Sequence, residues 1–511
     1  MSAPSSDNFP IRIGTLDAFA QVRGFLNDIQ FNDRNVCAAL KIRDITGSRD
    51  LQPDEIDWRA VSPALRVAIR LFVLGASAPR EDFRTICGDG IFAALNALGL
   101  IRGVRHRDDT VVCPVWLYPV DGFIVVSDRR DDPDGEAYRP PIDAVFPALD
   151  AGTLKLLRLL PATLGDGLDL CGGCGVGALH LSRIGQRAVS ADITGRASFF
   201  AAFNAQLNGV DIESLEGDLY APVMGRHFDI IAAHPPWVPS IGDTMVFRDG
   251  GDGGETIIRR IVEGIPQHLR RGGTAVIVSL GRDTVEAPYE QRVRGWLSNP
   301  GRDCDVILGV EKMLTIEEVV GSVRKLHLKD DRRQADRLAA HLHTLGTDKF
   351  VYGALFIRRT DELIAQPPLR LRMSSRAAAS DFDRLFAWRG QRRDAAFRDW
   401  MKSAKPRLAP HLEVINRQVV QDGTLAVGES ILRAEHAFST ALQLDGWVIP
   451  IIASFQGSQN VEQVFNKACR SGSSPADFTL DSFIDLVGMM VEYSFLDIDI
   501  QSEIKRSTCT G

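Results

Sequence analysis

An α/β fold around an open, largely parallel sheet is predicted for the middle of this 511-residue chain. Three observations predict it. The first is the run Phe228-Asp229-Ile230-Ile231-Ala232-Ala233, apolar enough for a buried strand, which stops at His234-Pro235-Pro236-Trp237. Two prolines cannot continue a central ladder, so the strand ends there. The second is Gly167-Leu168-Asp169-Leu170 leading into the turn Cys171-Gly172-Gly173-Cys174-Gly175-Val176-Gly177 and then a helical stretch. The third is Ala188-Val189-Ser190-Ala191, a strand ending at Asp192. Open α/β sheets bind ligands at the carboxyl ends of their strands, and all three features are such ends.

Each end offers its own chemistry. Glycines permit tight dihedrals and let a ligand approach the backbone, which makes Asp169, Cys171, Gly173 and Gly175 a candidate cradle. Asp192 lies about 20 residues past the glycines, the spacing of a carboxylate that binds ribose hydroxyls, with Ile193 beside it. A third strand leads to Glu216-Gly217-Asp218-Leu219-Tyr220, which offers contacts to an adenine. The dinucleotide pattern is imperfect, because the last glycine comes one residue early. Among eight cysteines only Cys171 and Cys174 form a C-x-x-C pair. With no second Cys or His pair at finger spacing, they read as small residues in a tight turn, and no metal site is expected. The loop at 234–237 is a stiff shelf with an imidazole, prolyl carbonyls and an indole face, suited to holding a flat polar nitrogen group.

In this order the motifs resemble a class I S-adenosylmethionine-dependent methyltransferase. The resemblance is closest to the amino-methylating subgroup with an (Asn/Asp/Ser)-Pro-Pro-(Tyr/Phe/Trp) loop. That subgroup includes release-factor glutamine N5-methyltransferases, small-domain ribosomal RNA guanine methyltransferases and N6-adenine methyltransferases. Arg248-Asp249-Gly250-Gly251-Asp252-Gly253-Gly254-Glu255, then Ile257-Ile258-Arg259-Arg260-Ile261, is similar to the segment after that loop in the glutamine N5 enzymes. The resemblance spans residues 145 to 358. It implies a Rossmann-like seven-stranded core and S-adenosylmethionine as cofactor. The cofactor would lie against Asp169, Cys171, Gly173, Gly175, Asp192, Ile193, Asp218, Leu219 and His234. His234, Pro235, Pro236 and Trp237 would be the catalytic loop, with Trp237, Asp252 and Glu255 toward the acceptor.

One departure bears on the acceptor. In the family the first loop side chain and a neighbouring carbonyl accept hydrogen bonds from the target amino group; here that residue is His234. A neutral imidazole accepts one such bond, in one tautomer. It could instead take a proton from a more basic nitrogen, or be a spacer beside the carbonyls. The expected acceptor is therefore an amino, amide or guanidino nitrogen of a small metabolite or natural-product precursor. A protein glutamine is the alternative, and an RNA or DNA base comes third.

Composition is that of an ordinary soluble globular protein, with 45% hydrophobic and 24% charged residues. No apolar run is long enough to span a bilayer, and Met1-Ser2-Ala3-Pro4-Ser5-Ser6-Asp7 lacks a signal pattern, so a cytoplasmic protein is expected. A net charge of -7 argues against nucleic-acid partners, whose phosphates call for a basic field. The arginine-rich stretch 370–407 is interleaved with acids and reads as a solvated helix face.

Three domains are expected. Residues 1–140 combine helical stretches (Leu16–Leu26, Val61–Leu74, Ile91–Leu98) with strands at Thr110–Pro114 and Gly122–Ser127, a winged-helix-like recognition domain. Residues 141–360 form the catalytic domain. It closes with strands at Thr274–Ser279, Val306–Val310 and Phe350–Ile357, and a helical insert at 316–345 is a candidate lid. Residues 366–511 follow as a mainly helical, winged-helix-like domain whose expected role is packing and homodimerisation.

Overall fold

The computed structural model describes residues 9–500 apart from 106, 163–164, 241–244, 298–302, 328–330, 364–365, 473 and 476. The chain folds into two compact units. One comprises the chain up to Val306 together with Met313–Pro367; the other comprises Ile307–Lys312 and the chain from Pro368 onward.

The α/β core belongs to the first unit except for Ile307–Lys312, the middle of one strand. Strands β1 (Gly167–Leu170), β2 (Ala188–Asp192), β3 (Glu213–Glu216), β4 (Phe228–Ala233), β5 (Leu269–Thr284), β6 (Cys304–Leu314) and β7 (Thr347–Arg359) lie in the order β6-β7-β5-β4-β1-β2-β3, and an eighth strand, Leu369–Arg372, runs parallel to β6 at that edge, one more than the seven expected. The pairs β1–β2, β2–β3, β1–β4 and β4–β5 are parallel, whereas β7 runs antiparallel to β5. This is the Rossmann-like class I arrangement. Helices α1 (Ala151–Leu159), α2 (Val176–Ile184), α3 (Gly195–Asn208), α4 (Thr256–His268) and α5 (Tyr289–Trp296) alternate with the strands. Strands covered on both faces read as continuous apolar runs, and β1 is buried at all four positions. Strand order reverses beside β1, which has β2 on one side and β4 on the other. Such a reversal opens a crevice at the strand tips. The glycine turn and the Pro-Pro loop are the two neighbouring tips, since Leu170 pairs with Ala233. Between β6 and β7 the insert forms two helices, α6 (Ile316–His327) and α7 (Arg332–Thr344).

The N-terminal part of this unit has helices Leu16–Asp28, Asp33–Leu40, Pro63–Ala68, Arg80–Cys87 and Asp89–Ala97 and a small sheet of Ala78–Pro79, Arg107–Val112 and Arg102–Val104. A further hairpin pairs Trp116–Val120 with Phe123–Ser127. Two asparagines on α3 satisfy its open edge. Asn204 accepts from Val126 N at 2.8 Å and donates to Val126 O at 3.0 Å, and Asn208 does the same for Ile124 at 2.9 and 2.7 Å. Nearby, Arg196 of α3 pairs with buried Asp128 at 2.6 Å.

The second unit has helices Ala379–Arg393, Phe397–Ser403, Val448–Ile452, Val461–Arg470 and Leu480–Glu492 around a core that includes Trp388, Met401, Phe455, Phe483 and Leu496. It also holds a three-stranded antiparallel sheet, Leu412–Gln421, Thr424–Glu435 and Ser439–Leu444, for which the sequence reading has no strand. Its first strand is exposed on both faces, so it carries no alternating apolar pattern to read. Three arginines of the arginine-rich stretch pair with acids of the last helix: Arg389 and Arg392 with Glu492 at 3.1 and 2.5 Å, and Arg398 with Asp481 and Asp485 at 3.1 Å each. Among the described residues, no helix is long and apolar enough to cross a membrane.

Candidate active site

Strand β1 runs into a turn with three left-handed residues, Cys171, Gly173 and Gly175, at φ values of 56°, 55° and 77°. The glycines answer to different demands. A Cβ on Gly172 would stand 2.2 Å from Ser190 Oγ, and one on Gly177 would stand 2.5 Å from Asp169 Oδ2. Gly173 instead faces open space, and its N–H donates to Asp192 Oδ2 at 3.0 Å. Asp169 braces the turn from beneath, accepting from Ala178 N at 3.0 Å. Burial pushes its carboxyl up to about 7, and the nearby charge of Asp192 adds to the rise. Burial also raises the Cys171 thiol well above its ordinary range and Cys174 to about 12, so neither is a thiolate at neutral pH.

Asp192 ends β2. Its Oδ1 accepts from Thr194 N at 3.0 Å and Thr194 Oγ1 at 3.1 Å. With Gly173 that makes three donors, and a carboxylate has roughly four acceptor sites, so capacity remains. Ile193 beside it is 55% exposed, unusual for a large apolar side chain at a strand tip. Asp218 is at the surface and pairs with Arg260 of α4 at 2.7 Å, and Leu219 takes a positive φ of 50°. Tyr220 turns inward; its hydroxyl donates to Ile261 O at 2.9 Å and its ring stacks on His268 at 4.3 Å.

At the tip of β4, His234 is partly buried, Pro235 is buried, and Pro236 and Trp237 are partly exposed. The glycines that follow let the next segment lie backbone to backbone on this ledge. A Cβ on Gly250 would stand 2.7 Å from Trp237 Cα, and one on Gly254 would stand 2.5 Å from Trp237 O. Helix α1 crosses the ledge from the other side. A Cβ on Gly152 would stand 2.7 Å from His234 Nε2 and 2.9 Å from Tyr352 Oη, so glycine is what lets the helix meet the imidazole. Asp150 caps that helix through Gly152 N at 2.9 Å. Buried Lys155 sets its ammonium 4.1 Å from the Tyr352 ring centroid, and Trp237 lies 6.3 Å from the same ring. Burial lowers the His234 pKa below its ordinary value, Asp150 opposes this and Lys155 reinforces it. The imidazole is therefore neutral near pH 7.

The turn and the ledge come together as the sequence predicts, but two acceptor-side residues do not join them. Glu255 is only 4% exposed and is fully engaged in an internal cluster. Its oxygens accept from Arg282 Nε at 3.0 Å, Arg282 N at 2.7 Å and Arg292 Nη2 at 2.7 Å. A carboxylate this close to two guanidiniums anchors the 248–255 loop and has nothing left for an acceptor. Asp252 is exposed and pairs with His341 on α7. Asp150, Gly152, Lys155 and Tyr352 surround the imidazole. Asp150 and Gly152 belong to the segment 146–154, which by its place before the first core strand is expected to cross over the cofactor pocket, whereas nothing in the sequence marks Lys155 or Tyr352.

The insert rests on the ledge through an apolar cluster that includes Val238, Leu280, Ile316, Leu338, Leu342 and Phe350, with Trp237 and Tyr352 packed against it. Exposed ion pairs contribute little. His341→Ala should therefore change stability by less than about 1 kcal/mol in urea unfolding, because apolar packing holds the insert.

Residues 144–296 match the methyltransferase small domain family. A Methanocaldococcus jannaschii protein assigned as a protein N5-glutamine methyltransferase is 31% identical over 150 residues, covering 28% of this chain and 72% of that protein. The ribosomal protein uL3 glutamine methyltransferase of Bradyrhizobium diazoefficiens is 30% identical over 156 residues, covering 27% of this chain and 48% of the relative. The ribosomal RNA small subunit methyltransferase C of Alcanivorax borkumensis is 27% identical over 155 residues, covering 30% of this chain and 42% of the relative. The chain thus spans less than half the length of the last two. With the strand order, the glycine turn and the Pro-Pro ledge already in place, these matches identify the chain as a member of the methyltransferase small domain family, a methyltransferase that uses S-adenosylmethionine on a Rossmann-like class I core.

Proposed function

We propose that this enzyme methylates the side-chain amide nitrogen of a glutamine in a protein substrate. The observation that carries the reading is a neutral imidazole fixed beside a stiff diproline, one strand away from the glycine turn. Two of the three relatives described above are glutamine methyltransferases by name, which supports the amide over a small-metabolite nitrogen.

The turn fits the cofactor. Gly173 leaves open space against the backbone, Asp192 retains acceptor capacity for one ribose hydroxyl, and exposed Ile193 with Leu219 offers apolar surface to a base. Asp169, Cys171 and Gly175 shape the turn around them, and Asp218 borders it. When bound, S-adenosylmethionine supplies an electrophilic methyl on a cationic sulfonium. The chain's own contribution is positioning and exclusion of water. His234 accepts a hydrogen bond from one amide N–H and the carbonyl of Pro235 accepts from the other. Holding both N–H groups fixed turns the nitrogen's remaining direction toward the methyl. Pro236 stiffens the loop and Trp237 gives the amide plane a face to rest on. Helix α1, through Gly152, closes the imidazole side against solvent.

The exchange of Asn, Asp or Ser for His234 favours a second reading, in which a more basic small-molecule amine gives its proton to the imidazole. Labelled cofactor and a cell extract separated into protein, small molecules and nucleic acid distinguish the readings. Label on a protein glutamine, located by mass spectrometry, is the expected result. Label confined to small molecules would replace the proposal with the amine reading. Salt-sensitive labelling of nucleic acid would point to a base.

A further inference from the structure

The strand Leu412–Gln421 is the outer strand of its sheet, and it pairs on one side with Thr424–Glu435. Residues 413–420 are all exposed, and Val414, Ile415 and Val420 are 44%, 42% and 73% exposed. Soluble proteins protect long strand edges with charged side chains, proline, bulges or a covering element. This ten-residue strand contains no proline, and its two charges, Glu413 and Arg417, are of opposite sign and flank Ile415 symmetrically, so they can complement a second copy of the same edge. Among the described residues, no strand pairs with its outer side.

We propose that this edge pairs with itself in a second copy of the chain. The two strands run antiparallel about a two-fold axis through Ile415, perpendicular to the sheet, and two three-stranded sheets become one of six strands. Charge register identifies the occupant. Within the sheet Glu413 is opposite Arg433 and Ile415 is opposite Ile431. An axis through Ile415 sets each Glu413 opposite the partner's Arg417. Each Glu413 then lies between two arginines, its own Arg433 and the partner's Arg417. Along the middle runs a row of four isoleucines, two Ile431 and two Ile415. Opposite charges directly across an antiparallel pair stabilise it, and like charges oppose it.

Neighbouring registers with the same symmetry lack this match. An axis at Val414 sets Glu413 opposite Ile415, and an axis at Asn416 sets Arg417 opposite Ile415. The local geometry agrees with the choice. The ladder to the neighbouring strand is regular up to Arg417 and shifts register after it. The symmetric stretch 413–417 lies wholly within the regular part.

Sedimentation of the full chain at micromolar concentration tests the proposal, and twice the chain mass is expected. Ile415→Lys places two ammonium groups together at the axis and should weaken association by about tenfold or more, with circular dichroism and cofactor binding unchanged. Ile415→Cys, oxidised mildly, should give a disulfide-linked dimer, because directly opposed residues bring their Cβ atoms to about 4.5–5.5 Å. Val420→Cys is the control: it is more exposed, but its opposite residue would be 410. A monomeric wild type overturns the proposal. So does an Ile415→Lys protein that stays dimeric, or a Val420→Cys protein that cross-links as readily as Ile415→Cys. If the lysine variant fails to fold, the cysteine pair decides.

Discussion

Asp192→Ala is expected to weaken binding of S-adenosylhomocysteine by about 10–10²-fold, measured by calorimetry. A hydrogen bond to a charged acceptor contributes about 1.5–3 kcal/mol, and the acceptor site left on this carboxylate has room for one ribose hydroxyl. Every 1.4 kcal/mol is about a factor of ten, so losing that bond spans that range. The substitution also frees Gly173 N and Thr194 from their common acceptor, which loosens the turn where the backbone must be close. Asp192→Asn keeps one acceptor oxygen but brings an amide donor toward Gly173 N–H, so an intermediate loss is expected. The pH dependence has a definite sign. Burial raises the Asp192 pKa, so in the empty enzyme the proton is held more tightly than on a free aspartate. The ionised carboxylate is the better acceptor for a hydroxyl, hence affinity should rise with pH across the acid range. Unchanged affinity in the alanine variant would remove Asp192 from the cofactor site.

The core was legible because buried parallel strands write themselves as apolar runs. Strands β1, β2, β4, β5 and β7, and the helices of the insert, lie where their patterns place them. Punctuation was legible for the same reason: Gly173 and Gly175 need left-handed backbone, and Pro235 with Pro236 must end a strand. Long-range pairing was not. Nothing in the spacing of Glu255 reveals that Arg282 and Arg292, 27 and 37 residues later, consume its oxygens. A carboxylate after a glycine-rich loop looks like a ligand until its partners are seen. Lys155 and Tyr352 belong to elements almost 200 residues apart in sequence, and only the fold sets the ammonium over the ring. The edge strand at 412–421 was invisible because both its faces meet solvent, so it lacks the one signal by which strands are read.

His234→Ala should lower turnover by about 10²-fold or more, while S-adenosylhomocysteine affinity stays nearly constant. The separation follows from position. The imidazole lies at the tip of β4 against Gly152 and close to Tyr352, whereas the groups proposed to hold the ribose are on β2 and the glycine turn. His234→Asn restores the side chain found in the family's loop and should recover much of the rate if the imidazole only accepts a hydrogen bond. If the histidine instead removes a proton, asparagine cannot replace it and both variants stay slow. The pH profile gives an independent reading. Burial lowers the His234 pKa below 6.5, so the ring is neutral through physiological pH and gains a proton only in acid. Wild-type turnover should be flat across neutrality and fall below the ordinary imidazole range. Protonation favours the unfolded chain, where the ring is solvated, so the stability tied to this group is present at neutral pH and is lost as pH falls. An alanine variant with wild-type turnover would reduce the histidine to a spacer and leave the prolyl carbonyls to orient the acceptor. A profile centred at the ordinary histidine pKa would show that the imidazole is more solvated during turnover than its packing against α1 implies.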